Sequence, residues 1–479
     1  MKKPNFLGMW LKKLGQHRGR MRLWFDCQRV RKAGLEPGVR FNLTPMANGL
    51  GLKLSPHPEG THKVSSKVKG ERTVPVIDVN DDDLLAPLSQ EPVLRVVILA
   101  DGLYLLPLAS EVAKRERIKR LQDRLKSGEP LRVASLAHGG GVLSNAAHHG
   151  LQAAGLKVET AFCNEIDEGY LDQSLAVNEA ITEQTIPLCV PMQELIQDSW
   201  AMAQLGQAEI LEGGIPCSGA SVAGRAKRWL SLPESHPEVG HLIYAAIALI
   251  QKLQPAAIVL ENVTTYASSG SAEILRSQLR DMGYNISEHV LSARDYGALE
   301  NRIRWAFVAT TDGIDPLDVL PQAQAMAPRK LGDLLDPVPA DDKSWSELQY
   351  LKDKEVRDVA AGKGFAMQTV DAESTSVPVI RKHYSKGGST DPFVKHPTNP
   401  KLLRKFTPGE HARIKGVPEH LIEGLSATAA HQLLGQGIAY VPFKELFEAL
   451  GRQLKAVEES GPKWSASNGA AARLEAVVG

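Results

Sequence analysis

The feature that most constrains this chain is the alternation of short apolar runs with helical patterns between residues 131 and 311. Runs rich in β-branched and aliphatic residues fall at 131–137 (LRVASLA), 157–165 (KVETAFCNE), 208–214 (AEILEGG), 256–263 (AAIVLENV), 286–293 (ISEHVLSA) and 304–311 (RWAFVATT). Helical patterns separate them, among them a segment ending at Ala154, a long one from about Glu238 to Lys252, and one from Ala272 to Met282. Strands that read as continuous apolar runs are buried on both faces, and parallel neighbours need a crossover that is usually a helix. The alternation therefore predicts an α/β unit built on a doubly wound, mostly parallel sheet. Ligands of such sheets sit outside the carboxyl ends of the strands.

Four unusual groups stand at those ends. Gly139-Gly140-Gly141 follows the first run, Glu165 the second, Pro216-Cys217 the third, and Glu261 the fourth. Each has an ordinary explanation. A glycine triplet can serve a tight turn, and an acid after the second strand either holds a ribose hydroxyl or is simply solvated. A lone cysteine is more often a small buried hydrophobe than a nucleophile. Cys217, however, lies in the Gly/Ser-rich stretch GGIPCSGAS, and a carboxylate directly after AAIVL is hard to explain by packing. Together they place a glycine loop, a thiol and two carboxylates in one crevice.

Longer motifs extend the pattern. Ile215-Pro216-Cys217-Ser218-Gly219 resembles the Pro-Cys loop of DNA cytosine-5 methyltransferases, and Glu261-Asn262-Val263 resembles their Glu-Asn-Val motif. Tyr296-Gly297-Ala298-Leu299-Glu300-Asn301-Arg302-Ile303-Arg304 is similar to their Tyr-Gly-x-x-Gln-x-Arg-x-Arg segment. Arg404-Lys405-Phe406-Thr407-Pro408-Gly409-Glu410 is similar to Arg-x-Leu-Thr-x-x-Glu, and Leu434-Gly435-Gln436 to the closing Gly-Asn motif. Order and spacing agree from about residue 130 to 452. The resemblance implies a Rossmann-like methyltransferase sheet carrying an inserted target recognition domain, with S-adenosylmethionine as cofactor and double-stranded DNA as substrate. It implies Cys217, Glu261, Arg302 and Arg304 as catalytic residues, and Leu136, Gly139, Gly141, Glu165, Ile166, Pro216 and Gln436 as cofactor-binding residues. In the implied reaction the Cys217 thiolate adds to carbon 6 of a flipped-out cytosine, so that carbon 5 attacks the methyl donor. Methylation of an RNA cytosine, or a catalytically weak DNA-binding regulator on the same fold, are the alternative readings.

The cofactor side departs from the family pattern. Where the family has Asp-Leu-Phe-x-Gly-x-Gly, the chain reads Ser135-Leu136-Ala137-His138-Gly139-Gly140-Gly141, without the aromatic ring. No acid follows the third segment between Cys189 and Gln193, Ser218 replaces the Gln after Pro-Cys, Glu300 replaces the Gln before the paired arginines, and Gln436 replaces the closing Asn.

The rest of the chain reads as accessory parts. Residues 1–128 form a candidate β-rich N-terminal domain, since VPVIDV and VLRVVILA are strand-like and turn signals separate shorter runs. Its first forty residues hold eleven Lys or Arg against Asp26 and Glu36, a local formal charge of +9 in a chain of net charge +1. The pattern resembles small AbrB-like or SymE-like DNA-binding units. Residues 129–315 and 401–455 read as the catalytic domain, 316–400 as the target recognition domain, and 456–479 as a mobile tail. Within 316–400, Arg381, Lys382, His383, Lys386, Lys395 and His396 are candidates for phosphate contacts, or ordinary solvated charges. The four cysteines, Cys27, Cys163, Cys189 and Cys217, lack metal-type spacing, so no metal and no disulfide framework are expected. The N-terminus lacks the features of a signal peptide, and the longest apolar stretch, Leu242 to Ile250, is too short to cross a bilayer. A cytoplasmic enzyme of a bacterium, phage or mobile element is expected, free of membrane and of any obligate protein partner, with a place in a restriction-modification system as one setting.

Overall fold

A computed structural model describes residues 6–47, 49, 51–216, 233–236, 240–318, 320 and 329–463. The chain forms two compact units. One is built from residues up to Glu116 together with Arg280–Tyr284, the other from Arg117 onward without that short piece.

The first unit holds two antiparallel sheets. Six strands run in the order Phe6–Lys13, Val93–Leu99, Gly102–Pro107, Leu52–Pro56, Arg40–Pro45, His62–Lys63. Four run in the order Gly15–His17, Arg20–Asp26, Arg72–Asn80, Ser65–Lys69. Both patterned runs are strands as read, and their alternate residues supply the core: Leu23, Phe25, Ile77, Val79, Val96 and Ile98 are buried together.

The second unit is organised by one seven-stranded sheet. Its strands are β1 (Leu131–Leu136), β2 (Val158–Asn164), β3 (Ile186–Leu188), β4 (Ile210–Gly214), β5 (Ala257–Asn262), β6 (Tyr284–Ser292) and β7 (Ile303–Thr311). They lie in the order β3-β2-β1-β4-β5-β7-β6. Strands β3, β2, β1, β4 and β5 are mutually parallel, and β7 is antiparallel to β5. The doubly wound sheet expected from the alternation is present, with β1 and β4 side by side in its interior. Its strands are buried on both faces: Ala257, Ile258, Val259 and Leu260 are each at most 1% exposed. The short strand β3 (Ile-Pro-Leu) was not singled out by pattern. Three residues carry no periodicity, and a proline is tolerated because the strand lies at the sheet edge.

Against one face lie the helices Val142–Ala153 and Tyr440–Ser460, whose Leu143, Ala147, Leu151, Phe443, Phe447 and Leu450 share the main core. Gly150 permits their close approach, since a Cβ there would stand 2.3 Å from the carbonyl oxygen of Lys444. The helix Pro408–Lys415 starts with a capping box, in which Thr407 Oγ1 accepts from Glu410 N and Glu410 Oε2 accepts from Thr407 N.

The segment assigned to target recognition has little regular structure: the helix Gln349–Ala360 and a three-stranded sheet of Gln368–Val370, Pro392–Lys395 and Leu403–Arg404. A small core of Leu331, Val370, Val377, Ile380, Tyr384 and Val394 holds it. Several of its candidate phosphate ligands are already engaged. Arg381 pairs with Asp391 at 3.0 Å and Lys395 with Asp371 at 3.4 Å. His396 is buried, its Nε2 hydrogen-bonded to Ala340 O and its Nδ1 accepting from Asn399 N. It is a structural histidine, which corrects its reading as a surface cation.

From Arg117 onward the helix Ala109–Ser127 belongs to the second unit and is tied into it. Arg117 donates to Thr311 Oγ1 and Gln254 Oε1 at 2.8 and 2.7 Å. Arg120 and Arg124 approach the fully buried Glu209 at 2.9 and 3.2 Å. Leaving a buried carboxylate without its cations costs on the order of 3–5 kcal/mol. A truncation beginning at Ala109 should therefore be more stable than one beginning at Glu129 by about that amount. Urea denaturation of the two fragments checks this, and equal midpoints would refute the anchoring role.

Candidate active site

Two adjoining cavities open at the carboxyl edge of the sheet. The first, about 480 Å³, is lined by the turn after β1, by Gly214, Ile215 and Pro216 after β4, by Glu261 and Val263 at the end of β5, and by Arg304 on β7. Lys382, Leu433, Gln436 and Gly437 close it from other parts of the chain. The second, about 450 Å³, lies beyond β2 and β3 and shares Ala137, Glu165, Ile166 and Pro216 with the first. Both volumes suit a drug-sized ligand.

The turn after β1 is tightly wound. Ala137 is left-handed at φ 48°, a conformation that only small or polar residues adopt at modest cost. Gly139 is left-handed at φ 58° with open space where a side chain would stand, and its N–H donates to Glu165 Oε2 at 2.6 Å. Glu165 Oε1 accepts from the N–H groups of Ile166 and Asp167 at 2.9 and 3.0 Å. The carboxylate thus ties the loop after β1 to the loop after β2 while lining both cavities. Ile166 lines both as well, yet is 68% exposed, a large apolar group without a covering partner.

Two residues read as cofactor ligands line neither cavity. Leu136 is 1% exposed, inside the sheet core. Gly141 caps the helix Val142–Ala153 at φ 76°, and a Cβ there would stand 2.3 Å from Asn178 Nδ2 and 2.4 Å from Ser174 Oγ. Both shape the turn. Gln436 and Pro216 do face the cavity.

The opposite wall carries the charged groups. Glu261 Oε1 lies 2.7 Å from Arg304 Nε. Burial raises the Glu261 carboxyl above its ordinary value, against the opposing pull of Arg304 and Arg302. Asn262 Nδ2 donates to Ile215 O at 2.9 Å, so the Glu-Asn pair holds the strand end that leads into Pro216-Cys217. Cys217 itself lies outside the described residues; its neighbour Pro216 is in the wall of both cavities.

Arg302 is 1% exposed and does not reach the cavity. Its Nε donates to Glu300 Oε2 at 2.9 Å, and its Nη2 donates to the carbonyls of Ile380 and Gly435, each at 3.0 Å. Glu300 also accepts from Lys415 Nζ at 2.9 Å and from Ile380 N at 3.0 Å. Burial opposes ionisation of Glu300, but Arg302 and Lys415 overcome it and hold the carboxyl well below the usual range. The sequence reading missed Lys415, and also Tyr170 and Gln193 in the cavity walls, and took Lys382, which lines the first cavity, only as a candidate phosphate contact. No local pattern marks them, because each arrives from a separate element.

Beneath the glycine turn lies a neutral polar layer. His138 Nδ1 is 2.7 Å from Ser135 Oγ and its Nε2 is 2.7 Å from Ser174 Oγ. Burial lowers His138 to about 4, so the ring is uncharged at neutral pH. Burial likewise raises Glu212 on β4 to about 8, against a hydrogen bond from Ser135. Folded chains then keep the Glu212 proton between about pH 4.5 and 8 while unfolded chains lose it. Stability should fall across that window by about 1.4 kcal/mol per pH unit from this group. Glu212→Gln should flatten that slope, as read by urea midpoints at pH 6, 7 and 8; an unchanged slope would refute a protonated Glu212.

Comparison with known proteins agrees with this architecture. The family profile described as C-5 cytosine-specific DNA methylase matches residues 133–452, more than half of the chain. The Type II methyltransferase M.NlaX of Neisseria lactamica is 29% identical over 267 residues, which is 54% of this chain and 80% of that protein. The Type II methyltransferase M1.ScrFI of Lactococcus lactis subsp. cremoris is 28% identical over 266 residues, 53% of this chain and 64% of that protein. Among solved structures, the methyltransferase EhMeth of Entamoeba histolytica shares the fold, with a TM-score of 0.52 at 18% identity over 67% of this chain and 98% of that one. A Rossmann-like sheet with a carboxylate–arginine pair beside the Pro-Cys strand end, and a profile match across that whole unit, lead to one assignment: the chain belongs to the C-5 cytosine-specific DNA methylases and is a DNA cytosine-5 methyltransferase.

Proposed function

We propose that this enzyme acts on cytosine in double-stranded DNA with Cys217 as nucleophile and S-adenosylmethionine as methyl donor. The observation that carries the reading is the Glu261–Arg304 pair facing the cavity beside Pro216, one residue from Cys217. The duplex must present its cytosine flipped out of the stack, since a base within the helix cannot enter such a cavity.

The two cavities suit the donor. Ile166, with its uncovered apolar face, would pack on the purine, Glu165 would hold the ribose hydroxyls, and Gly139, Pro216 and Gln436 would complete the wall. Leu136 and Gly141 serve it indirectly, through the backbone of the turn. When bound, S-adenosylmethionine supplies an electrophilic methyl group on sulfonium.

The residues divide the remaining work. The Cys217 thiolate forms a bond to carbon 6 of the ring, and the electron pair of the 5,6 double bond moves toward ring nitrogen 3. Glu261, with its carboxyl raised by burial, delivers the proton that nitrogen 3 then needs. After methylation a base removes the proton at carbon 5, the thiolate leaves to restore the 5,6 double bond, and nitrogen 3 returns its proton to Glu261. Arg304 holds Glu261 in place and offers further N–H donors to the base carbonyl. Arg302 acts at one remove, through the backbone of Ile380 and Gly435.

The segment 316–400 reads the target sequence, and the N-terminal unit is accessory, its basic strands favouring a DNA partner. Among the described residues no helix is long and apolar enough to cross a membrane. We place the enzyme in the cytoplasm of a bacterium, or of a cell hosting a phage or mobile element.

Expression in a methylation-free host, followed by bisulfite sequencing of its genome, tests the reading. Protected cytosines in a discrete motif are expected with the wild type and none with Cys217→Ala. Turnover by Cys217→Ala would overturn the nucleophile, and an unmethylated genome beside methylated RNA would overturn the substrate. Glu261→Gln keeps the shape but delivers no proton, so kcat should fall about 10²–10⁴-fold with duplex affinity nearly unchanged. Steady-state kinetics beside a duplex-binding titration separate the two effects, and an unchanged kcat would remove Glu261 from the chemistry.

A further inference from the structure

We infer that the outward face of the four-stranded sheet in the first unit grips duplex DNA by its phosphates, independently of sequence. The inference rests on duplex DNA as the substrate proposed above, and deepens it by giving the N-terminal unit a binding surface.

Strand alternation fixes that face. Leu23, Phe25, Ile77 and Val79 point into the core of the unit. Arg20, Arg22, Trp24 and Asp26 therefore turn outward, with Asp78 opposite Trp24. Arg22 pairs with Asp78 at 2.6 Å, and Asp26 meets Lys69 at 2.7 Å and Lys67 at 3.5 Å from the edge strand Ser65–Lys69. Arg72 stands opposite Lys69, and both it and Arg20 are exposed. With Lys12, which reaches the same face at Trp24, six cations meet two carboxylates. The local charge is 6 − 2 = +4 in a chain of net charge +1, and at the hairpin tips Arg18 and Glu71 cancel.

Stability does not account for this concentration. Lys67 Nζ, Lys12 Nζ and Arg22 Cζ lie 5.5, 5.7 and 6.0 Å from the centroid of the Trp24 ring, so three like charges converge on one side chain. Exposed ion pairs return only about 0–1 kcal/mol, and exposed cation–π contacts about 0.5–1 kcal/mol, while the clustered cations repel one another. A polyanion resolves the repulsion, because phosphates take up the cations and release their own counterions. The ring also selects the kind of polyanion. A single strand needs an open aromatic face on which its bases stack, and that of Trp24 is taken by cations. Contacts to phosphate carry no sequence information directly, so the grip extends to any duplex.

The test uses the full chain and a labelled duplex of about 40 base pairs and arbitrary sequence, titrated by fluorescence anisotropy between about 50 and 200 mM salt. Lys67→Gln/Lys69→Gln/Arg72→Gln should bind at least about 10-fold more weakly, with a log–log salt slope shallower by about 2–3. Lys119→Gln/Lys126→Gln/Lys157→Gln removes the same charge from exposed positions elsewhere and should leave the slope unchanged. Asp26→Asn frees Lys67 and Lys69, and should tighten binding about 2- to 5-fold, a gain that misfolding cannot produce. An unchanged slope in the first variant, an equal loss in the second, or no gain from Asp26→Asn would overturn the assignment of this face and leave the substrate reading intact. A wild type that prefers duplex RNA of the same sequence would overturn the DNA substrate itself.

Discussion

One buried guanidinium holds the cavity together. Arg302 grips two carbonyls, at Ile380 and Gly435, that are otherwise far apart in the chain. Each lies beside a residue of the cavity wall: Lys382 two positions after Ile380, Gln436 directly after Gly435. The same arginine is anchored by Glu300, which also fixes the N–H of Ile380. Both backbone groups of Ile380 are thereby satisfied by one ion pair, and β7 leaves this cluster carrying Arg304 toward Glu261. Buried charge is tolerated here because both Glu300 oxygens, Nε and Nη2 of Arg302 and Nζ of Lys415 each have a directed partner.

The electrostatics of the site follow from where the cations stand. Glu300 lies between Arg302 and Lys415 and is held as an anion. Glu261 meets Arg304 from one side at the cavity wall, and burial prevails there, raising its carboxyl. Two carboxylates, one near the end of β5 and one just before β7, are thus driven apart in proton affinity, one for structure and one able to exchange a proton. Such divergence marks acid–base assignments. The neutral layer of Ser135, His138 and Ser174 under the glycine turn adds no charge beside the first cavity.

Much of this was legible in the sequence. The strands β1, β2, β4, β5 and β7 and the mostly parallel sheet follow from period and composition, because a strand buried on both faces must be apolar throughout. Glu261, Glu165 and Pro216 could be picked out because strand ends in such sheets converge on one edge, whereas Arg304 was carried by the family motif. The two cofactor assignments that line no cavity, Leu136 and Gly141, were carried by resemblance to a motif. In three dimensions one is core and the other a crowded helix cap. His396 likewise reads as a surface cation until its neighbours are known.

The sequence by itself determined the class of fold and the chemical groups at the strand ends, since periodicity and strand-end position are local properties of a chain. Only the tertiary structure decided which arginine faces the cavity and which is buried. It alone showed that Glu165 ties two loops together, that Lys415 completes the Glu300 cluster, and that one oxygen of Gln193 has no hydrogen-bond partner among the described residues. These depend on contacts between residues distant in the chain, such as the 133 positions separating Arg302 from Gly435. No local pattern encodes such contacts, because they are set by how whole elements pack.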